Sequence, residues 1–158
     1  MFDSYDLQIE MVLLDDRLKN GEFPIPEPAT EGSAGFDLRA MIDAAIVIAP
    51  GMTVLVPSGI AVHIRNKHVC MLIIPRSGLG HRSGLVLGNG TGLADSDFTG
   101  PIMVSLFNRG YNPVKIQPGD RVAQAFFVPV IHPEFTIVPE FSTNTIRGEG
   151  GFGHTGTN

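Results

Sequence analysis

One cysteine, Cys70, stands in the whole of a 158-residue chain, so no intrachain disulfide can staple the fold, and a reducing compartment, the cytoplasm, is the expected home. No apolar run reaches the roughly 18 residues that span a bilayer. Nor does the N-terminus show a charged stretch leading into a long apolar one, so neither a secretory signal nor a membrane role is expected, and the sequence reads as a soluble protein. An excess of positive charge is lacking too. The net charge is −5, and residues 1–31 carry eight acids against Arg17 and Lys19, which leaves eight acids and nine basic residues in a nearly neutral body. Nucleic-acid binding normally shows a basic patch or stripe, so that class is set aside. A small polyanion needs only a few cations and stays open. The chain has no G-x-x-x-x-G-K-[ST] and no G-x-G-x-x-G opening a helix, which removes the P-loop and the dinucleotide fingerprint. Its five histidines are scattered: His63 and His68, five apart, fall on opposite faces of a strand, and no protein-only metal cage is indicated.

What is present is a β pattern. A hydrophobic content of 43% with 17% charged residues supports one compact domain with a real core. Leu7 to Leu14 reads as one strand with a frayed acidic lead. Phe23-Pro24-Ile25-Pro26-Glu27-Pro28 must be an extended surface connection, because alternate prolines suit neither a central strand nor a helix. Further short strands are expected at Ala34 to Ala40, Ile46 to Ile48, Thr53 to Val56, Ile60 to Ile64, Val69 to Ile74, Ile102 to Phe107, Val122 to Val130 and Phe135 to Val138. Turns such as Pro50-Gly51, Pro57-Ser58-Gly59 and Pro118-Gly119 separate them. The expected fold is an all-β jelly-roll-like barrel or sandwich, with at most one short helix near 77–82. Residues 141–158 are too rich in glycine to bury a core, so the chain divides into a β-domain at 1–140 and a flexible lid at 141–158.

Three stretches carry candidate chemistry. Asn89 to Gly100 joins glycine-rich backbone, Asp95, Asp97 and Phe98 within twelve residues. Glycines let a ligand approach the main chain closely, so such a hairpin can read a flat polar ring with backbone groups. The same residues also suit a solvated turn. Ile74 to Gly80 ends an apolar strand with a cation, a hydroxyl and exposed backbone N–H groups, the parts of a phosphate site or of a simple helix cap at Ser77. Gly119 to Gln124 reads as turn-to-strand chemistry with a structural Asp120–Arg121 salt bridge. Cys70, in an apolar strand, reads as a small core residue.

Taken together and in order, five segments resemble the five motifs of the homotrimeric dUTP nucleotidohydrolases, the dUTPases. They are Ala34 to Ala40, Pro75 to Gly80, Gly92 to Gly100, Gly119 to Gln124 and Arg147 to Gly156. Leu87-Gly88-Asn89 and Ile116 to Arg121 look especially like the bacterial type. The resemblance implies hydrolysis of dUTP to dUMP and diphosphate by water attack on the α-phosphate, which limits uracil in DNA and supplies dUMP for dTMP synthesis. By the same resemblance Asn89 and the main chain of Gly92, Leu93 and Ala94 would bind uracil. Asp95 would hold the water and act as general base. Phe98 would stack on the deoxyribose, and Met103 would line the pocket. Arg76, Ser77, Gly78 and Gln124 would contact phosphates. Asp37 would orient the waters of a Mg²⁺ ion held mainly by the triphosphate. Arg147, Phe152, His154 and Thr155 would close over the substrate, in a site built by three subunits.

The chain departs from the family pattern where it has Phe98 for a usual Tyr, Ala94 for Ile or Val, and His154 for a frequent Ser. The base and the phosphate ligands remain. Two rivals share the fold. A dCTP deaminase-type enzyme would need a glutamate a few residues after the third motif, and Pro101 to Ser105 offers none. A non-catalytic trimeric binding module is permitted by the same β pattern but opposed by Asp95 and the complete tail.

Overall fold

The computed structural model describes residues 7–143 and 145–151. In chain order these form β1 (Glu10–Leu13), α1 (Asp16–Lys19), β2 (Phe36–Arg39), β3 (Ile46–Ile48), β4 (Thr53–His63), β5 (Val69–Pro75), α2 (Ser77–Arg82), β6 (Leu85–Leu87), β7 (Gly92–Ala94), β8 (Pro101–Asn108), β9 (Val114–Ile116) and β10 (Arg121–Pro129). Two antiparallel sheets of four strands result, ordered β1-β4-β8-β6 and β2-β10-β5-β7, with β3 and β9 paired apart from both. This is the all-β, jelly-roll-like architecture that the short apolar runs and Pro/Gly turns predict.

Period-two burial explains why the sheets face each other. Along β8, Ile102, Val104, Leu106 and Asn108 are buried and the residues between them are more exposed. Val56, Ile60 and Val62 of β4 join Leu38, Met71, Ile73, Ala123 and Ala125 of the second sheet in one cluster. Each large aliphatic side chain removed from water there stabilises the fold by about 1.5–3 kcal/mol. Among the described residues no helix is long and apolar enough to cross a membrane.

Several local readings change. Pro57-Ser58-Gly59 is not a turn: β4 runs through it with a shifted register against β8. The Ser58 hydroxyl donates to the Ile102 carbonyl at 2.7 Å, and Gly59, at φ +77°, turns its carbonyl to the amide of Leu14 at 2.8 Å. A bulge therefore replaces the reversal. A second short helix, α1, interrupts the N-terminal segment because Asp15 caps it, accepting from the Arg17 amide at 2.9 Å while Leu18 is buried. Phe135 to Val138 forms no strand. Both β6 and β9, three residues each, are too short to show a period in sequence.

Candidate functional site

The second sheet brings one group of predicted residues together at the end of β5. Asp37 on β2 lies opposite Gln124 on β10, which lies opposite Ile74 on β5, two residues before Arg76. Arg76 Nε stands 2.8 Å from Asp37 Oδ1, and Arg121 Nη1 stands 3.3 Å from Oδ2. The N–H of Arg76 is not aligned on Oδ1, so both atoms are buried without a hydrogen bond. Arg121 thus pairs with Asp37 and not with Asp120, whose Oδ2 accepts from the Gln117 amide at 2.8 Å. Nothing in the Asp-Arg dipeptide signals this, because it arises from the β2–β10 pairing, which brings Arg121 opposite Arg39. A groove of about 390 Å³ runs along Gly35, Asp37, Ile74 and Gln124. A Cβ at Gly35 would run into the Ala125 carbonyl, so glycine is required for this close approach.

Arg76, not Ser77, occupies the cap position of α2, with extended backbone at φ −76° and ψ 130° and no side-chain cap bond. The Ser77 hydroxyl is therefore not spent on capping. The first-turn amides of Ser77 and Gly78 have no partner within the helix, which leaves them, with the Arg76 guanidinium, as donors for an anion.

The second group runs along the middle of β5, with Asp95 toward its far end. β7 is the edge strand of its sheet, paired to β5 through Gly92↔Ile73, Leu93↔Leu72 and Ala94↔Met71. Its outward main-chain groups have no neighbouring strand, so an edge of N–H and C=O groups is open to a polar ring. The flanking strand β6 pairs with β8 in the other sheet, so Gly88 to Thr91 is a crossing between sheets and not the turn of a β-hairpin. Asn89 lies exposed in that crossing, its carbonyl accepting from the Thr91 amide at 2.8 Å. Asp95 follows Ala94, exposed, beside Cys70. Burial pushes the Cys70 thiol up, and the charge of Asp95 pushes it further the same way, so the buried thiol stays protonated. Phe98 is partly exposed with its ring over Gly100. Met103 sits on the outward side of β8, in the other sheet.

Within one chain Asp95 and Arg76 are therefore at different ends of β5, while Gly92 lies between them opposite Ile73. From Cys70, beside Asp95, to Arg76 is six residues of extended backbone, about 20 Å at roughly 3.3 Å each. In the tail, Arg147 Nε donates to the Gly150 carbonyl at 2.8 Å. Phe152, His154 and Thr155 lie outside the described residues.

Asp37 is the carboxylate here that could hold water of a metal ion. Asp37 is a single carboxylate with a buried oxygen lacking an aligned donor, and among the described residues no three His, Cys, Asp or Glu side chains gather.

Comparison with known proteins adds a family. A model described as dUTPase matches residues 21–156. The deoxyuridine 5'-triphosphate nucleotidohydrolase of Shewanella amazonensis is 58% identical over 149 residues, covering 94% of this chain and 97% of its own. That of Haemophilus influenzae is 56% identical with the same coverage. Among solved structures, the Staphylococcus bacteriophage 80alpha dUTPase with dUPNHPP superposes with a TM-score of 0.81 at 24% identity, covering 94% of this chain and 98% of its own. A dUTPase of phage phi11 of S. aureus, described with a structural Mg(II) ion, reaches 0.73 at 22% identity, covering 86% and 99%.

Proposed function

The chain belongs to the dUTPase family and hydrolyses dUTP to dUMP and diphosphate, and from that premise we propose how its own residues divide the work. The open edge of β7 at Gly92, Leu93 and Ala94, with Asn89, reads the polar edge of uracil. Asp95 holds a water and removes its proton as the oxygen attacks the α-phosphorus in line. The bond from that phosphorus to the bridging oxygen of the β-phosphate breaks, and diphosphate leaves. Arg76, the Ser77 and Gly78 amides and Gln124 hold the phosphates and meet the charge that develops on them. Phe98 packs on the deoxyribose, and Met103 lines the pocket. A Mg²⁺ ion, when bound with the substrate, would supply charge neutralisation on the phosphates, and Asp37 would hold its waters. Arg147, with Phe152, His154 and Thr155, closes the tail as a lid over the β-domain.

The observation that carries this reading is the separation of Asp95 from Arg76 along β5. A single chain would have to bind its substrate fully extended to engage both, so we infer that the base and uracil groups of one chain serve with the phosphate groups of another. We therefore infer a homotrimer with shared sites. A second feature supports the same partner: beyond Pro129 the chain forms no further strand among the described residues, yet it exposes Ile131, Phe135, Ile137, Phe141 and Ile146. An apolar run without cover on its own chain fits the surface of a second copy. A single buried thiol accords with the cytoplasm, where we place the enzyme.

Two measurements test these steps. The protein is incubated with dUTP, dCTP and dTTP while diphosphate and ammonia are followed; diphosphate from dUTP alone is expected, and ammonia from dCTP would favour the deaminase reading. Inactive Asp95→Asn and Arg76→Gln chains are then co-refolded in equal amounts. Random assortment joins two intact contributions at about a quarter of sites, so activity should reappear on mixing. Continued inactivity of the mixed, folded oligomer would refute site sharing.

A further inference from the structure

A second cavity, of about 640 Å³, opens between α2 and the β8–β9 loop, and neither β7 nor Asp95 lines it. Its walls carry His81, Arg82, Arg109 and Lys115, and no acidic residue lines it. No carboxylate comes within ion-pair distance of Arg82, Arg109 or Lys115 among the described residues, whereas Arg17, Lys19, Arg65, Arg76 and Arg121 each have one. In a chain of net charge −5, three cations without acid partners thus share one concave place, while Arg39, Lys67 and Arg147, also without one among the described residues, do not line it. Tyr111 stands at the same cavity with its ring almost wholly exposed, at 98%.

The cavity is rigidly built. Asn108, fully buried, donates through Nδ2 to the carbonyls of Ile48 and Asn112, both at 2.8 Å, and its Oδ1 accepts from the Gly110 amide at 2.9 Å. The Arg109 amide bonds the Gly84 carbonyl at 3.0 Å. Gly84, at φ +69°, comes so close to Gly110 that a Cβ would lie 2.6 Å from its nitrogen. One buried amide and two glycines therefore fix the loop that presents Arg109 and Tyr111, which reduces the ordering cost of binding.

We propose that this cavity binds a nucleoside polyphosphate at a site separate from the catalytic one, with phosphates on Arg109, Lys115 and Arg82 and the base against Tyr111. Guanidinium groups meet phosphate oxygens bidentately, and a lysine adds a point charge. An exposed aromatic ring offers a base its face. The volume lies within the roughly 300–1,000 Å³ of small-ligand sites. A single strand of nucleic acid would call for a groove with successive aromatic platforms, and here there is one ring in one bowl. Arg82 borders both regions, because its guanidinium lies over Gly78. The test therefore rests on Arg109, Lys115 and Tyr111.

The full-length oligomer carrying Arg76→Gln, which weakens the catalytic phosphate site, is titrated calorimetrically with ATP and separately with inorganic tripolyphosphate. Saturable ATP binding is expected, about tenfold weaker or more for each cation lost in an added Arg109→Gln or Lys115→Gln. Tyr111→Ala should weaken ATP binding and leave tripolyphosphate unchanged. These variants alter exposed side chains, and dUTP hydrolysis by the single Lys115→Gln and Tyr111→Ala proteins should match the parent. Three results would overturn the proposal: no saturable binding to the Arg76→Gln protein, binding indifferent to Arg109 and Lys115, or equal affinity for ATP and tripolyphosphate with no effect of Tyr111. An oligodeoxynucleotide binding there more tightly than ATP would also overturn it, in favour of a nucleic-acid surface. Loss of the dUTPase reading would show in the product assay and leave this titration untouched.

Discussion

Arg76 Nε lies 2.8 Å from Asp37 Oδ1 in an ion pair without a hydrogen bond, both atoms buried and neither aligned on the other. A buried polar atom left so costs about 1–3 kcal/mol, which an arriving phosphate can relieve on the arginine side and metal-bound water on the carboxylate side. On the mechanism proposed above, the pair would hold two groups of the phosphate site close together in a state ready to exchange partners.

The first prediction follows from that pair. Asp37→Asn should fold normally, because Arg76 and Arg121 reach solvent, but should lose the anion that orients metal-bound water. A fall in kcat/KM of about 10–100-fold is expected, as for residues one step removed from a metal, together with a higher Mg²⁺ concentration for half-maximal rate. A Mg²⁺ titration identical to that of the parent would remove Asp37 from this role.

The second concerns Asp95. Asp95→Asn is nearly isosteric on an exposed site, so it should retain dUTP binding and lose about 10²–10⁴ in turnover. The same change removes one of two causes that raise the Cys70 thiol. Alkylation of Cys70 near pH 8 should become faster than in the parent and stay slower than for a free thiol, since burial, the larger cause, persists. Half of parental turnover in the variant would end the general-base assignment.

The third concerns sugar choice. The Phe98 ring lies over Gly100 so closely that a Cβ there would stand 2.8 Å from its tip. Gly100→Ala should displace the ring without unfolding the protein, since the ring can swing away. Like Phe98→Ala, it should raise activity on UTP relative to dUTP by opening room for a 2′-hydroxyl. Unchanged UTP:dUTP ratios in both variants would show that Phe98 does not select the sugar.

The strands that form the body were legible because β8 and β10 alternate or run apolar between Pro/Gly turns, a local signal. The acid, the cations and the bare backbone stood out in the sequence as candidates only, and their roles remain the proposal made above. What the sequence hid is non-local. Gly59 reads as a turn residue until its carbonyl is seen to serve Leu14, and Arg121 reads as the partner of Asp120 until β2 pairs with β10 and sets Asp37 before it. Phe135 to Val138 carries strand-forming residues, but in the chain's own fold it has no strand to pair with. The separation of Asp95 from Arg76 becomes visible only once the register of β5 with β7 is known.

The fourth prediction is a pH dependence. Asp15 is held below the usual carboxylate range chiefly by the Arg17 guanidinium, at 2.7 Å, and by the Arg17 amide it caps. A depressed folded pKa contributes stability that is fully present above the unfolded value of about 3.9 and lost as pH falls through the folded one. Asp15→Ala should therefore lower the thermal midpoint at pH 6–7, with the lost cap alone contributing about 1 kcal/mol. The gap to the parent should narrow steadily below about pH 4. A gap constant from pH 7 to pH 3 would show that the charge of Asp15 contributes nothing.

The last prediction is that residues from Thr145 onward act as a lid. Arg147 can meet a terminal phosphate bidentately, and the glycines around it give the backbone freedom to fold over a ligand. Ordering such a segment costs about 1–2 kcal/mol per residue for the backbone alone, so closure requires the contacts of a full triphosphate. Closing also excludes bulk water and holds the α-phosphate in line with the water on Asp95. The described part of this segment forms no strand and contributes nothing to the buried core. Its deletion should leave the thermal midpoint nearly unchanged and reduce kcat/KM by orders of magnitude. Binding of dUMP should survive almost intact, because dUMP lacks the phosphate that recruits Arg147. Full dUTP turnover by the truncated protein would make the tail an idle terminus.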